Sequence, residues 1–241
     1  MTKLRNEFII KISNVLKWMG EVCLAVKLVS CTPNAEEILV QAFSQCYQLE
    51  RQGKKANIDV VRRNIKHQSV LEHATYTFNI EMSRVAWEQL VRQRIGTAFE
   101  ADHDHIWLDS ITYNASYTAQ SHRYTEPTIE DFSRIMPPSV TDLGKDVEWH
   151  QDMAVLYQLY SKWREYGLKK EDARYIAPCG ILIRATVTFN LRSLIHLWLL
   201  RLDAHAQWEI RAFARECLEA VLPTIPNLVG IVQELAGINE A

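Results

Sequence analysis

Between Ala74 and Met82 every second residue is apolar (Ala74, Tyr76, Phe78, Ile80 and Met82), against polar Thr75, Thr77, Asn79 and Glu81. A period of two puts each set on its own side of an extended chain, so the pattern predicts a strand with one core face and one polar face. This strand is read as beginning at His73, on the polar side. Ile181, Ile183, Ala185, Val187 and Phe189 alternate with Leu182, Arg184, Thr186 and Thr188 in the same way. They predict a second strand whose last residue, Asn190, opens a helix. From Glu21 to Val29 the chain alternates again, with Val22, Leu24, Val26 and Leu28 on one side, which predicts a third.

Elsewhere the period lengthens. Ile38, Ala42, Cys46 and Leu49 form a helical stripe predicting a helix from about Asn34 to Glu50, and Asn34 with Glu37 reads as a capping box. Asn57 is placed to cap a short helix carrying Val60, Val61 and Ile65. From Arg84 the spacing turns helical, with Trp87, Leu90 and Val91 on an apolar face and Gln89, Arg92 and Gln93 one turn apart on another. Trp149, Met153, Leu156, Tyr160 and Trp163 predict a long helix to about Tyr166, ended by Gly167. A last strong helix is predicted from about Ala206 to Val221, stopped by Pro223. The stretch from Pro127 to Pro138 reads as irregular. Residues 98–114, with Glu100, Asp102, Asp104 and Asp109 among His103, His105 and Trp107, read as an inserted acidic loop.

Length and composition narrow the class. A chain of 241 residues with 48% hydrophobic content buries a sizeable core without dividing, which predicts one domain over residues 1–241. Net charge of −2 leaves no basic track for nucleic acid, so small-molecule partners are expected. Five widely spaced cysteines without a C-x-x-C pair argue against a disulfide framework or a thiolate zinc site, and point to a reducing cytoplasm. The N-terminal apolar runs are broken by Glu7, Asn14 and Lys17, so no signal peptide or membrane span is drawn. With only eight glycines, neither G-x-G-x-x-G nor G-x-x-x-x-G-K occurs, so a bound phosphate has to be held by arginines and helix N-termini.

The arginines supply the candidate chemistry. Gln89-Leu-Val-Arg92-Gln93-Arg94 resumes past the insertion at Ser121-His122-Arg123-Tyr124. Asn190-Leu-Arg192-Ser193-Leu-Ile-His196 leads to Arg201-Leu-Asp-Ala-His205-Ala-Gln-Trp-Glu. Guanidinium groups grip phosphates and planar carbonyls through paired donors, so this concentration points to a nucleotide or cofactor site. Together with Ser69-Val-Leu-Glu72-His73 and Ala173-Arg174-Tyr-Ile-Ala-Pro178, these segments resemble the flavin-dependent thymidylate synthases, from about Pro33 to Val221. The resemblance implies a mixed α/β (α+β) subunit with a central, mostly antiparallel sheet flanked by helices, assembled as a homotetramer. It implies FAD as cofactor, and conversion of dUMP to dTMP with methylenetetrahydrofolate as carbon donor and NADPH as reductant. Gln89, Arg92, Ser121, His122, Arg123 and Arg174 would then surround dUMP, with Arg201 on the uracil carbonyls. Arg94, Asn190, Arg192, His196 and His205 would line FAD, joined by Arg92 and Gln93, and His73 would lie near the flavin ring where folate stacks. Arg201 and Ser121 are the residues carried as catalytic, although no Ser-His-Asp spacing supports a serine nucleophile and phosphate binding is the preferred role for Ser121.

This chain departs from that pattern at three places. Gln93 stands where the family has a histidine, Ala119 replaces a longer polar side chain, and the insertion splits the signature between Ile95 and Ser116. Two alternatives therefore stay open: a relative that modifies the pyrimidine differently, for example by hydroxymethylation, and a flavin- or nucleotide-binding homologue with weakened turnover. Asp102-His103-Asp104-His105 has a metal-like spacing but no third or fourth partner, so the loop is read as solvated, with no metal site, and as a lid over the cleft.

Overall fold

The computed structural model describes residues 25–65, 68–92 and 115–238. Four strands, β1 (Ala25–Cys31), β2 (Thr75–Ser83), β3 (Ala115–Ala119) and β4 (Leu182–Asn190), form one antiparallel sheet in the order β1-β2-β4-β3, with helices flanking it. The two sequences with the clearest alternation are therefore the two central strands. Tyr76, Phe78, Ile80, Met82, Val187 and Phe189 are each at most 2% exposed, so the apolar set is the core set. On the other face Thr77 Oγ1 lies 2.9 Å from Thr188 Oγ1, and Thr186 Oγ1 donates to Asn79 Oδ1 at 2.9 Å. Two residues forward on β2 match two back on β4, the signature of antiparallel pairing without slip.

The helices are α1 (Ala35–Tyr47), α2 (Ile58–Arg63), α3 (Arg84–Leu90), α4 (Ile129–Ser133), α5 (Pro138–Asp142), α6 (Asp146–Glu165), α7 (Lys170–Ala173), α8 (Leu191–Arg201), α9 (Trp208–Val221) and α10 (Val229–Leu235). Asn57 caps α2, its Oδ1 accepting from Val60 N at 3.0 Å. Asn190 caps α8 through a 2.8 Å bond from Ser193 N. Gly167 ends α6 at φ 89°, a conformation that favours glycine.

Four local expectations are corrected. The strand expected from His73 starts at Thr75, because Gln68–His73 wind into 3-10 turns and pairing begins where Thr32 and Thr75 exchange bonds, Thr32 N donating to Thr75 O at 2.9 Å and Thr75 N to Thr32 Oγ1 at 2.8 Å. The Asn34–Glu37 capping box is absent: Asn34 takes a left-handed backbone, φ 50° and ψ 46°, from which its side chain makes no capping bond. The stretch between Pro127 and Pro138, read as irregular, holds α4, started by a true capping box in which Thr128 Oγ1 accepts from Asp131 N and Asp131 Oδ2 from Thr128 N. The Gln89–Arg92 helical face is interrupted, since α3 ends at Leu90 and Arg92 follows in an exposed turn. The insertion at 98–114, Gln93 and Arg94 lie outside the described residues.

The described residues fall into two compact units, one drawn from residues 81–88 and 119–185, the other from 26–80, 89–118 and 186–241. The first has a core of Phe132, Met153, Tyr160, Ala173 and Ile181, where Phe132 meets Tyr157 edge to face at 5.5 Å between ring centres. In the second, α1, α8 and α9 bury Leu39, Phe43, Leu194, Trp198, Ile210 and Phe213 together with Tyr76, Phe78 and Phe189. No helix among the described residues is long and apolar enough to cross a membrane.

Candidate functional site

In the first unit a turn presents Ser121, His122 and Arg123. Tyr124 N and Thr125 N donate to Ser121 O at 3.0 and 3.1 Å, and Ser121 Oγ accepts from Arg123 N at 3.4 Å. No histidine or carboxylate bonds the Ser121 hydroxyl among the described residues, so nothing there activates it as a nucleophile. His122 is 3% exposed, and its Nε2 has no hydrogen-bond partner among the described residues. Burial lowers its pKa below the ordinary 6.5; the Arg84 guanidinium adds to this, Asp131 opposes it, and Arg174 and Arg184 lower it further. His122 thus lies near three guanidiniums and the Asp131 carboxylate, with the guanidiniums and burial together outweighing the carboxylate.

Those guanidiniums are not equally committed. Arg184 Nη1 donates to buried Asp131 at 2.7 Å and its Nε to Glu81 at 3.1 Å, so it belongs largely to the frame. Arg174 spends Nε on Glu171 O at 3.0 Å. Arg123, more than half exposed, lies 3.7 Å from Glu171 Oε2 and has its guanidinium carbon 5.6 Å from the centre of the Tyr124 ring. Surface pairs of this length contribute little, so Arg123 is available to a ligand. Arg84 and Arg184 were missed from the sequence. Arg84 reads there as the first residue of a helix and Arg184 as one polar position of a strand, and only folding puts both beside His122.

In the second unit, α8 organises the candidate residues. Asn190, 8% exposed, accepts at its Oδ1 from Ser193 N as the helix cap, which leaves the amide N–H groups as its remaining donors. Arg192 is paired through Nη1 with Glu72 Oε1 at 2.5 Å, a partner 120 positions away, and its Nε is buried without a hydrogen-bond partner among the described residues. His196 lies one turn on, its pKa lowered by burial and then by Arg192 and Arg201. Ser193 Oγ and Arg201 Nε are likewise buried without partners among the described residues. Arg201 Nη2 reaches Gln89 O at 3.5 Å, so two residues predicted for one ligand meet across 112 positions.

His205 is placed differently from its reading. Four positions beyond Arg201, it would share that residue's face of a continuous helix, but α8 stops at Arg201, and Asp203 Oδ1 accepts from both His205 N at 2.8 Å and His205 Nδ1 at 2.9 Å. Its side chain is 97% exposed, with the Asp203 carboxylate as its neighbour. An aspartate two residues back closes a local turn, which helical spacing does not anticipate. His73 is exposed at the end of its 3-10 turn and lines a groove against α1. Among the described residues no group of three or more histidine, cysteine or acidic side chains is arranged to hold a metal.

Comparison with known proteins adds a separate line of support. Residues 27–227 match the family model described as thymidylate synthase complementing protein. The chain is 37% identical over 215 residues to a flavin-dependent thymidylate synthase of Sulfurisphaera tokodaii, covering 84% of this chain and 75% of that one. It is 34% identical over 217 residues to the flavin-dependent thymidylate synthase of Geobacter sulfurreducens, covering 85% of each. Among solved structures, thymidylate synthase X of Helicobacter pylori, determined with FAD and dUMP, superposes with a TM-score of 0.60 at 22% identity, over 89% of this chain and 99% of that one. A UMP/dUMP methylase of Streptomyces cacaoi bound to 5-Br dUMP gives 0.67 at 19% identity, over 89% and 96%. At such identities the structures bear on the fold alone.

Proposed function

The chain belongs to the thymidylate synthase complementing protein family, whose relatives here are named flavin-dependent thymidylate synthases, and on that basis we propose that it converts dUMP to dTMP by reductive methylation. The observation that carries the reading is the meeting of Arg201 with Gln89, beside a buried guanidinium N–H that has no partner among the described residues. Making C5 of uracil nucleophilic pushes negative charge onto the ring oxygens. A fixed, planar guanidinium stabilises that charge more in the transition state than in the ground state.

The other roles follow from what each side chain has left to give. Arg174, Arg123 and Arg92 take the nucleotide phosphate, assisted by the Ser121–Tyr124 turn and His122, with Ser121 acting as a phosphate contact. Gln89 orients the base. The donors at the start of α8 fit a flavin nucleotide: Arg192 Nε and Ser193 Oγ are buried without a partner among the described residues, and the Asn190 amide keeps its N–H donors while its oxygen caps the helix. Asn190, Arg192, His196 and His205, with Arg92, Gln93 and Arg94, are the residues that would hold FAD, and His73 would face the folate. When bound, FAD supplies the redox chemistry of the reaction, with NADPH as reductant and methylenetetrahydrofolate as carbon donor. The enzyme works in the cytoplasm as a homotetramer.

The test compares two arginine variants at saturating dUMP. Arg201→Lys keeps the charge and loses the planar fork, so dTMP formation should fall about a hundredfold, or about 3 kcal/mol of barrier. Arg174→Ala should mainly raise the KM for dUMP, because a phosphate contact is made equally in both states. Parental turnover in Arg201→Lys with a lost chemical step in Arg174→Ala would reverse the two assignments. A hydroxymethylated nucleotide as the product would replace methylation by the related reaction.

A further inference from the structure

Two of the guanidiniums assigned to the nucleotide phosphate come from segments distant in sequence. Arg123 belongs to the turn that opens at Ser121, and Arg174 follows directly on α7. Their own ties are slight: Arg123 Nε stands 3.7 Å from Glu171 Oε2, and Arg174 Nε donates to Glu171 O at 3.0 Å. The two segments are joined by contacts of other residues. Glu126 Oε1, two residues past Tyr124, accepts from Arg164 Nε at 3.0 Å and from Arg164 Nη2 at 2.7 Å, while Arg164 Nη1 donates to Leu168 O. Lys170 Nζ, from the first residue of α7, donates to Tyr124 O at 3.1 Å. Arg164 thus spends all three guanidinium nitrogens on the two sides of one joint, the end of the Ser121 turn and the corner between α6 and α7. That corner is fixed by Gly167 at φ 89° and by Leu168 N donating to Trp163 O at 3.0 Å. Arg164 itself lies one helical turn past Tyr160, a core residue 3% exposed, and its side chain is 27% exposed. A planar fork anchored on a helix end fixes direction, while a partly exposed pair contributes little energy, so the bridge sets position more than stability.

We propose that Arg164, acting through Glu126, is a positioning residue for the substrate phosphate, with Lys170 as the second tie. Together they hold the Ser121–Tyr124 turn against α7, so that Arg123 and Arg174 present their donors at one fixed spacing. The assignment rests on the proposed function, which gives both arginines to that phosphate. A phosphate gripped from two segments binds best when they already stand at the right separation, because the ordering is then completed in folding and not in binding. The phosphate contact is made alike in ground and transition states, so loss of the bridge weakens nucleotide binding and leaves the chemical step alone. It acts only on ligands that carry the phosphate.

The test uses the full-length, flavin-loaded protein. Turnover, and calorimetric binding of dUMP and of deoxyuridine, which lacks the phosphate, are compared in wild type, Arg164→Gln, Glu126→Ala and the double variant. Each single substitution should raise the KM and the Kd for dUMP about fivefold, with kcat at saturating dUMP and the affinity for deoxyuridine unchanged. The double variant should bind dUMP no worse than Arg164→Gln alone, since both substitutions break one bridge. Glu126→Ala leaves the bond from Arg164 to Leu168 in place, so it carries the test if Arg164→Gln fails to fold. Unchanged dUMP affinity in Glu126→Ala, an equal loss of deoxyuridine binding, additive effects in the double variant, or a fall in kcat with KM unchanged overturns the proposal. Comparing binding with turnover separates this from the wider reading. Bridge-dependent dUMP binding in a protein that makes no dTMP leaves the positioning role standing and removes the synthase assignment. Synthesis of dTMP with a KM that ignores both substitutions removes the positioning role alone, and a wild type that binds no dUMP removes both.

Discussion

Asn190 carries two jobs on one side chain, and a pair of substitutions separates them. Its Oδ1 accepts from Ser193 N at 2.8 Å, the N-cap of α8, and the residue is 8% exposed. The oxygen is therefore committed, and any flavin contact has to come from the amide N–H groups. Asn190→Ala removes the cap and leaves a buried backbone N–H without its acceptor. The cost is about 1–2 kcal/mol, or a fall in melting temperature of about 2–8 °C for a chain of this size. Asn190→Asp keeps an acceptor at the cap and puts a negative charge where the helix dipole favours one, which offsets part of its desolvation. It loses both amide donors. Melting has to be followed on flavin-free protein, because a bound ligand raises stability by mass action and would confuse the two effects. The aspartate variant is expected to melt close to wild type as apoprotein and to take up little FAD, read from the flavin absorbance after reconstitution and desalting. Stoichiometric flavin in Asn190→Asp refutes the ligand role, and an unchanged melting temperature in Asn190→Ala refutes the cap.

Glu72→Gln removes the counter-charge of Arg192. Because the pair is 23% and 30% exposed, the loss should be about 1–2 kcal/mol, less than for a fully buried pair, and an unshifted urea midpoint would show that solvent already screens the contact. Asp131→Ala breaks the α4 capping box and one of the two carboxylate contacts of Arg184, with an expected cost of about 2 kcal/mol; a smaller effect in a background already carrying Arg184→Ala checks the coupling. His122, His150 and His196 are all lowered chiefly by burial, so below about pH 6.5 the unfolded chain binds more protons than the folded one. Their contribution is therefore complete above that pH and lost as the pH falls through their depressed values. Urea midpoints should drop between pH 7.5 and 5.5, less steeply in His122→Gln, and a midpoint that rises on acidification contradicts the assignment.

Much of this was legible along the chain because it depends on neighbours a few residues apart. Alternation at 74–82 and 181–189 determined the two central strands and their buried faces, since a period of two leaves one arrangement that keeps apolar side chains dry. Asn57 and Asn190 were readable as caps for the same local reason, and Gly167 as a stop. Local rules failed where a local alternative or a distant partner competed. The backbone at Asn34 went left-handed and lost its box, and Asp203 closed a turn that took His205 off the helical line from Arg201. What the sequence did not determine was which arginines are free to act. Arg184 is spent on Asp131 and Glu81, Arg192 is held by Glu72, and Arg201 is brought to Gln89. Each of those partners lies more than fifty positions away. Guanidiniums are alike in sequence, and whether one neutralises a carboxylate or waits for a ligand is decided by which carboxylate the tertiary fold leaves within reach.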